Sequence, residues 1–195
     1  MAHAHGQHGH GHGGAHGAHY ERYSRYAINR MGLQIFLLGE ATLVTALLML
    51  RFMLTGLERP PVNIAFGLVL TVLALAGAWT AGRALNAIRA GDQGASGRNL
   101  TLTVLLALLF LIVAAVEWVG LFPALPVSTP IGSVFYLMVG LDHLHILVGA
   151  GLLWVARMNL HKFSAHDYWG VEGPVWFWWF AVGFWLVTFV TLYIL

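Results

Sequence analysis

The stretch IFLLGEATLV, residues 35–44, places a single carboxylate, Glu40, in a run that is otherwise apolar or small apart from one threonine. With its flanks the run extends from Ile28 to Leu50, and a helix needs about 20 such residues to cross a bilayer. Glu40 would then lie near the bilayer midplane, where a charged side chain costs about 2.5–3.5 kcal/mol on insertion scales. The stretch therefore predicts a membrane-spanning helix and marks Glu40 as a candidate functional residue.

The composition of the chain excludes an ordinary soluble domain. Of its 195 residues 58% are hydrophobic and 9% are charged, whereas charged residues make up roughly 25% of a typical soluble domain. The chain has no cysteine, which excludes disulfides, thiolate metal sites and thiol catalysis. The pI of about 9.2 does not call for a nucleic-acid partner, because the basic residues flank apolar segments, where membrane topology explains them.

Five apolar segments are long enough to span a membrane. They lie near 29–54, 62–82, 99–121, 130–156 and 173–195. Transmembrane strands would instead show alternation over about 10 residues, and these runs are continuous. The sequence thus predicts an all-α, polytopic membrane protein, with a bundle of five transmembrane helices at 28–195 behind a polar tail at 1–27.

The basic residues predict how the five helices are oriented. The side that holds the N-terminus and the second and fourth loops has eight of them: Arg22, Arg25, Arg30, Arg83, Arg89, Arg98, Arg157 and Lys162. The other side has two, Arg51 and Arg59. Because loops rich in Lys and Arg stay on the cytoplasmic side, we expect the N-terminus inside and the C-terminus outside.

Further ionisable residues fall within the other spans. They are Glu117, Asp142, His143, His145 and Glu172. Such residues usually face the interior of a bundle and pair with one another. Asp142, His145 and Gly149 share one helix face, and His143 points elsewhere, so we expect Glu40 to meet His145 or Asp142. Whether that contact is a structural hydrogen bond or has a proton- or lipid-linked role stays open.

The histidines of the fourth span do not predict a haem site. His143 and His145 are two residues apart on one helix, about 200° around it, so they cannot approach one iron from opposite sides. We therefore expect no redox cofactor bound by this chain. A small divalent-metal transporter that uses Asp142, His143 and His145 together with the tail is the alternative.

The N-terminal 19 residues contain seven histidines and six glycines. A segment of this composition cannot form a core, which predicts a disordered tail on the cytoplasmic side. Three roles stay open: a solubilising tail, a metal-binding tail, because imidazoles bind divalent metals, and a proton-collecting tail. The histidines are His3, His5, His8, His10, His12, His16 and His19.

Four segments in order along the chain resemble subunit III of the haem–copper oxidases, the cytochrome c and quinol oxidases. They are NRMGLQIFLLGEATLVTALL (29–48), ALNAIRAGDQGASGRNLTLTVLLALLFLIVAAVEW (84–118), GSVFYLMVGLDHLHILVGAGLLW (132–154) and VEGPVWFWWFAVGFWLVTFVTLYIL (171–195). The resemblance covers residues 29–195, and five spans match the short bacterial form of the family, which lacks two helices at the start.

The polar set of that family is only partly present in this chain. The family's first histidine in the fourth span is Asp142 here, and its histidine and aspartate in the last span fall on Trp179 and Val182. The positions that carry over are Glu40, Glu117, His145, Glu172 and Trp185. This pattern indicates a divergent branch.

The resemblance implies a non-catalytic subunit of a bacterial cytoplasmic-membrane oxidase. Such a subunit holds no metal, packs on subunit I, binds phospholipid in a cleft and supports proton uptake and stability during turnover. Haems and copper would lie in subunits I and II, on which cytochrome c or a quinol acts as electron donor. Within this chain Glu40 would pair with His145, and Glu172 with Arg157 at the inner end.

Overall fold

The computed structural model describes residues 25–195, and this part of the chain folds into long helices. The helices are α1 (Arg25–Thr55), α2 (Ile64–Arg89), α3 (Gln93–Leu121), α4 (Pro130–Met158) and α5 (Trp169–Phe189). A 3-10 turn at Leu160–Lys162 lies between α4 and α5, and a π-helical turn at Val190–Ile194 continues α5. The seven tail histidines lie outside the described residues.

Each of these helices is long and apolar enough to cross a membrane, which confirms the predicted five-helix, all-α membrane fold. Several helices extend past the apolar segments that predicted them: α2 runs on to Arg89, and α3 already begins at Gln93. Hydropathy marks only the part of a helix that lies in hydrocarbon, whereas the backbone stays helical up to a residue that caps it.

Side-chain caps fix where α2, α3 and α4 begin. Asn63 Oδ1 accepts from the Ala65 N–H at 2.9 Å, Asp92 Oδ1 from the Ala95 N–H at 2.7 Å, and Thr129 Oγ1 from the Gly132 N–H at 3.1 Å. Each bond satisfies one of the backbone donors that a helix start leaves unpaired. The α2–α3 turn also needs Gly91, whose φ of +82° is unfavourable for residues with a Cβ. The short polar loops before these helices can therefore reverse the direction of the chain, so that the next helix enters the membrane again.

Helices α2, α3, α4 and α5 form a four-helix bundle, and α1 lies outside it against α4 and α5. Large side chains fill the bundle, with Phe110, Phe135, Trp178 and Trp185 almost fully buried. In α1, by contrast, Leu47 and Arg51 are the buried side chains. Most of the α1 surface is therefore free to meet lipid or another protein.

Chain direction alternates through the five helices, so one end of the molecule collects the starts of α1, α3 and α5 and the ends of α2 and α4. We call this end the basic end. Its described basic residues are Arg25, Arg30, Arg83, Arg89, Arg98, Arg157 and Lys162. The opposite end has Arg51, which donates to the Gly56 and Glu58 carbonyls at 2.8 and 2.5 Å, and Arg59, which donates to the Leu195 carbonyl at 2.9 Å.

Candidate functional site

The contact between α1 and α4 is made by Glu40 and His145. His145 Nε2 lies 3.2 Å from Glu40 Oε2, and His145 Nδ1 lies 2.8 Å from the Leu141 carbonyl oxygen. A carbonyl oxygen only accepts, so Nδ1 is the donor in that bond and a neutral ring would have Nε2 unprotonated. The contact between Nε2 and Oε2 therefore requires one proton, held either by the imidazolium or by the carboxylic acid.

Aromatic rings surround the histidine of this pair. The His145 ring stacks on Phe177 with centroids 5.9 Å apart and meets Phe184 edge-on at 5.6 Å. Phe36 of α1 stacks on the same Phe177 at 6.3 Å. The Glu40 side chain is 23% exposed and that of His145 is 9% exposed. The pair is thus shielded on the bundle side and reaches the outer surface through Glu40.

Glu172 organises the basic end. The Tyr26 hydroxyl donates to its Oε2 at 2.6 Å, and Arg89 Nη2 donates to its Oε1 at 2.8 Å. Glu172 is almost fully buried, and Arg89 lies 5.2 Å from the centroid of the Tyr168 ring. This cluster ties together α1, α2 and α5.

The expected pairing of Glu172 with Arg157 is wrong. Arg157 Nε instead donates to Thr101 Oγ1 of α3 at 3.2 Å. Helix α5 packs against both α2 and α4, so an arginine at the end of either could have reached Glu172. The side chain of Arg89, at the end of α2, makes that contact, whereas Arg157 turns toward α3.

Two carboxyl groups lie inside the bundle. The Tyr193 hydroxyl donates to Glu117 Oε2 at 2.8 Å, which joins the ends of α5 and α3. Asp142 is fully buried, and neither of its oxygens has a hydrogen-bond partner among the described residues. Asp142 is thus not the partner of Glu40, although it shares a helix face with His145.

His143 lies among aromatic rings, in surroundings that differ from those of His145 and of Asp142. Its ring lies against Phe110, Trp118 and Trp185, with centroids 5.5, 5.3 and 6.0 Å away. Asp142, His143 and His145 therefore contact different surroundings and do not form one ligand set. Within residues 25–195 no group of three or more His, Cys, Asp or Glu side chains is placed to hold a metal ion.

The structure adds partners that the sequence analysis did not name. Tyr26, Arg89 and Tyr193 each satisfy a buried carboxylate, and Thr71 accepts from Trp185 Nε1 at 3.0 Å. All of them sit in or beside apolar spans, where a polar group needs an internal partner. From this rule the sequence alone could have predicted that these polar residues have partners within the protein. It does not predict which partner each carboxylate has.

Comparison with known proteins places the chain in a family. The family model described as cytochrome c oxidase subunit III matches residues 12–195. The chain belongs to this family. The resemblance seen in the sequence is thereby confirmed for almost the whole chain, and the five helices make it a multi-pass membrane protein.

Individual relatives carry the same family name. Cytochrome c oxidase subunit 3 of Anopheles gambiae is 31% identical over 147 residues, which is 71% of this chain and 55% of that protein. The protein of the same name from Paracentrotus lividus is 33% identical over 110 residues, 55% of this chain and 42% of that protein. The chain spans about half the length of these relatives. Both organisms are animals, so the bacterial location stays a prediction.

Proposed function

We propose that the chain serves as the non-catalytic subunit III of a respiratory haem–copper terminal oxidase. The family match over residues 12–195 and the five spanning helices support this role. Haems and copper would reside in subunits I and II, where cytochrome c or a quinol delivers electrons. The contribution of this chain would be to pack on subunit I, bind phospholipid and support proton uptake and stability during oxygen reduction.

The single observation that carries the proton-linked part is the contact of Glu40 with His145. A contact that needs one proton, placed mid-span and open to the outer surface through Glu40, is suited to take up a proton and pass it to a neighbour. The rings of Phe177, Phe180 and Phe184 lie against His145 on the bundle side. They keep water away from that side, so the proton would exchange at the outer surface of the bundle, which Glu40 reaches.

The proposed location is the bacterial cytoplasmic membrane, with the basic end facing the cytoplasm. All seven described basic residues of that end support this orientation, because cytoplasmic loops are enriched in Lys and Arg. The metal-transporter alternative gains no support from the described residues, since Asp142, His143 and His145 face different neighbours.

Co-purification tests the proposal. The tagged chain is extracted from its native membrane in mild detergent, and the visible spectrum and the accompanying chains are recorded. We expect haem absorbance and at least two further subunits with the complex, and no haem absorbance in the chain once it is dissociated. A chain that elutes alone, or with proteins free of haem and copper, would contradict the proposed function.

A further inference from the structure

Phe177 of α5 contacts both of the helices that meet through Glu40 and His145. Its ring stacks on the His145 ring of α4, with centroids 5.9 Å apart and planes 14° apart. It also stacks on the Phe36 ring of α1, with centroids 6.3 Å apart and planes 23° apart. Phe36 precedes Glu40 by four residues, so both side chains project from the same face of α1. A residue that belongs to neither α1 nor α4 therefore lies against both helices beside their polar contact.

The orientation of the imidazole plane decides whether His145 can make its two hydrogen bonds. Nδ1 lies 2.8 Å from the Leu141 carbonyl oxygen and Nε2 lies 3.2 Å from Glu40 Oε2. Both partners must lie near the ring plane, because the bonds of the ring nitrogens point within that plane and a hydrogen bond weakens when it bends. The torsion that turns the ring has broad minima, so the histidine does not fix the plane by itself. A neighbour that lies flat against the ring can fix it.

Phe177 is the phenylalanine of α5 that lies flat against His145. The rings of Phe180 and Phe184 contact the same imidazole at 6.0 and 5.6 Å, but their planes are inclined to it by 54° and 80°. Glu40 of α1 is the ionisable side chain bonded to His145, and the α5 residues against it are these uncharged rings. Phe177 is itself buried, with 5% exposed, so its own plane is held by its surroundings.

Gly149 allows Phe177 to reach this position. It follows His145 by four residues, so the two positions lie on the same face of α4. A Cβ at Gly149 would lie 3.5 Å from Phe177 Cδ1 and 3.1 Å from Trp178 Cε3. Trp178 is almost fully buried, and a close-packed interior gives it little room to move. Helix α5 thus comes close to α4 here because residue 149 has no side chain.

We propose that Phe177 is a positioning residue for the proton that Glu40 and His145 share. It holds the imidazole plane in line with the two hydrogen-bond partners of His145, and through Phe36 it holds α1 beside them. It does not touch the shared proton and acts through His145. This role rests on the proton-linked part of the proposed function. It requires a flat ring at position 177, since an apolar side chain without a ring would not fix the imidazole plane.

Nitrogen NMR of the isolated full-length chain in detergent tests the positioning. The chain is labelled with ¹⁵N-histidine, and the His145 signals are those that the His145→Gln variant lacks. We expect wild type to show a proton on Nδ1 that exchanges slowly with water, because the Leu141 carbonyl holds it. Phe177→Leu should lose this proton signal, since a ring that turns releases the bond. Phe177→Tyr keeps a flat ring and should restore the signal.

Phe180→Leu is the matched control. It removes a ring that contacts His145 without lying parallel to it, so the Nδ1 proton signal should persist. If Phe177→Leu does not fold, Gly149→Ala decides the matter, because the added Cβ displaces the neighbouring rings and should weaken the signal. Gly151→Ala, with nothing within 4 Å of its Cβ, should leave the signal unchanged. A wild-type signal in Phe177→Leu, or in Gly149→Ala where Phe177→Leu does not fold, would overturn the proposal, as would equal loss in Phe180→Leu.

Turnover of the assembled oxidase distinguishes the positioning role from the proposed function. Phe177→Leu should slow turnover most visibly as the pH rises, as expected for Glu40→Gln, and the two changes together should do no more than Glu40→Gln alone. Additive effects would overturn the proposal, because Phe177 would then act independently of the shared proton. A lost Nδ1 proton signal with unchanged turnover would support the positioning of His145 and contradict the proton-linked function instead.

Discussion

Glu40 Oε2 and His145 Nε2 lie 3.2 Å apart, although 105 residues separate them in the chain. The bond joins α1, which lies outside the bundle, to α4, which belongs to it. Because the other ring nitrogen donates to the Leu141 carbonyl, the bond exists only while one proton lies between the two side chains. The same pair of residues therefore joins the two helices and holds a proton.

The Glu40→Gln variant distinguishes a role of the proton from a role of the hydrogen bond. The amide of glutamine can donate to Nε2 and so retain the hydrogen bond, but it cannot release a proton. We expect the oxidase complex to assemble normally while its turnover slows or inactivates faster, most visibly as the pH rises and protons become scarce on the inner side. Turnover is measured from neutral to alkaline pH, with Thr45→Ala on α1 as the control. Superimposable pH–activity and inactivation curves for wild type and Glu40→Gln would refute a proton-linked role.

Glu40→Leu tests the structural contribution of the same contact. It leaves His145 Nε2 without a partner, which costs about 1–3 kcal/mol for a buried polar group. We expect a lower midpoint of unfolding in detergent, measured by circular dichroism, and a much smaller change for Glu40→Gln. Equal stability of wild type and Glu40→Leu would mean that the contact does not hold α1 in place.

The cluster at the basic end predicts coupling between Glu172 and Arg89. Replacing Arg89 with Gln leaves the buried carboxylate with Tyr26 as its remaining partner, and we expect a loss of about 1–3 kcal/mol in the free energy of unfolding. The Arg89 side chain is 42% exposed, so water screens part of the interaction and the lower half of the range is expected. A double-mutant cycle with Glu172→Gln measures the coupling. A second cycle, in which Arg157→Gln takes the place of Arg89→Gln, is the control. Coupling of Glu172 to Arg157 rather than to Arg89 would contradict the structure.

Asp142→Leu should stabilise the isolated chain. Both Asp142 oxygens are buried without a hydrogen-bond partner among the described residues, and an unpaired polar group in an apolar interior costs about 1–3 kcal/mol by protein mutational data. A leucine has the same branched arrangement of heavy atoms but no polar atom, so it removes that cost, and the unfolding midpoint in detergent should rise. Asp142→Asn, which stays polar, serves as the control, and its unfolding midpoint should not rise. A loss of stability in Asp142→Leu would show that the carboxyl group has an essential partner.

Gly132→Ala should destabilise the start of α4. A Cβ at Gly132 would lie 2.1 Å from the Pro126 carbonyl oxygen and 2.8 Å from Thr129 Oγ1, so either the loop or the capping bond must shift. Overpacking of this kind typically costs about 1–3 kcal/mol. Gly120→Ala is the matched control, since a Cβ there meets nothing within 4 Å and alanine favours the helix. Both midpoints are measured in one detergent, and equal values would contradict the close approach at Gly132.

The orientation predicts the side on which each end of the molecule lies. A reporter that is active only in the cytoplasm should be silent when fused after Leu195, and a reporter that is active only outside should function there. Fusion within the 159–168 loop, beside Lys162, should give the reverse pattern. Cytoplasmic activity after Leu195 would overturn the inside-to-outside orientation.

The sequence predicted the features that depend on one helix at a time. Continuous apolar runs predicted the five spans, and the helical face of Asp142 and His145 narrowed the partner of Glu40 to two residues. What the sequence could not provide was the arrangement of helices around the bundle, because small and apolar residues allow several orders. That arrangement decides why Glu172 meets Arg89 rather than Arg157, and why Asp142 points into the interior while His145 reaches α1.

The position of α1 outside the bundle has a consequence for biosynthesis. The chain is made from its N-terminus at about 5–20 residues per second, and the polar partners of α1 come 105 residues later for Glu40 and 146 residues later for Tyr26. For several seconds Glu40 must therefore remain in or beside the bilayer without His145. The first of the five helices to emerge from the ribosome must therefore wait for α4 and α5 before its polar side chains meet their partners.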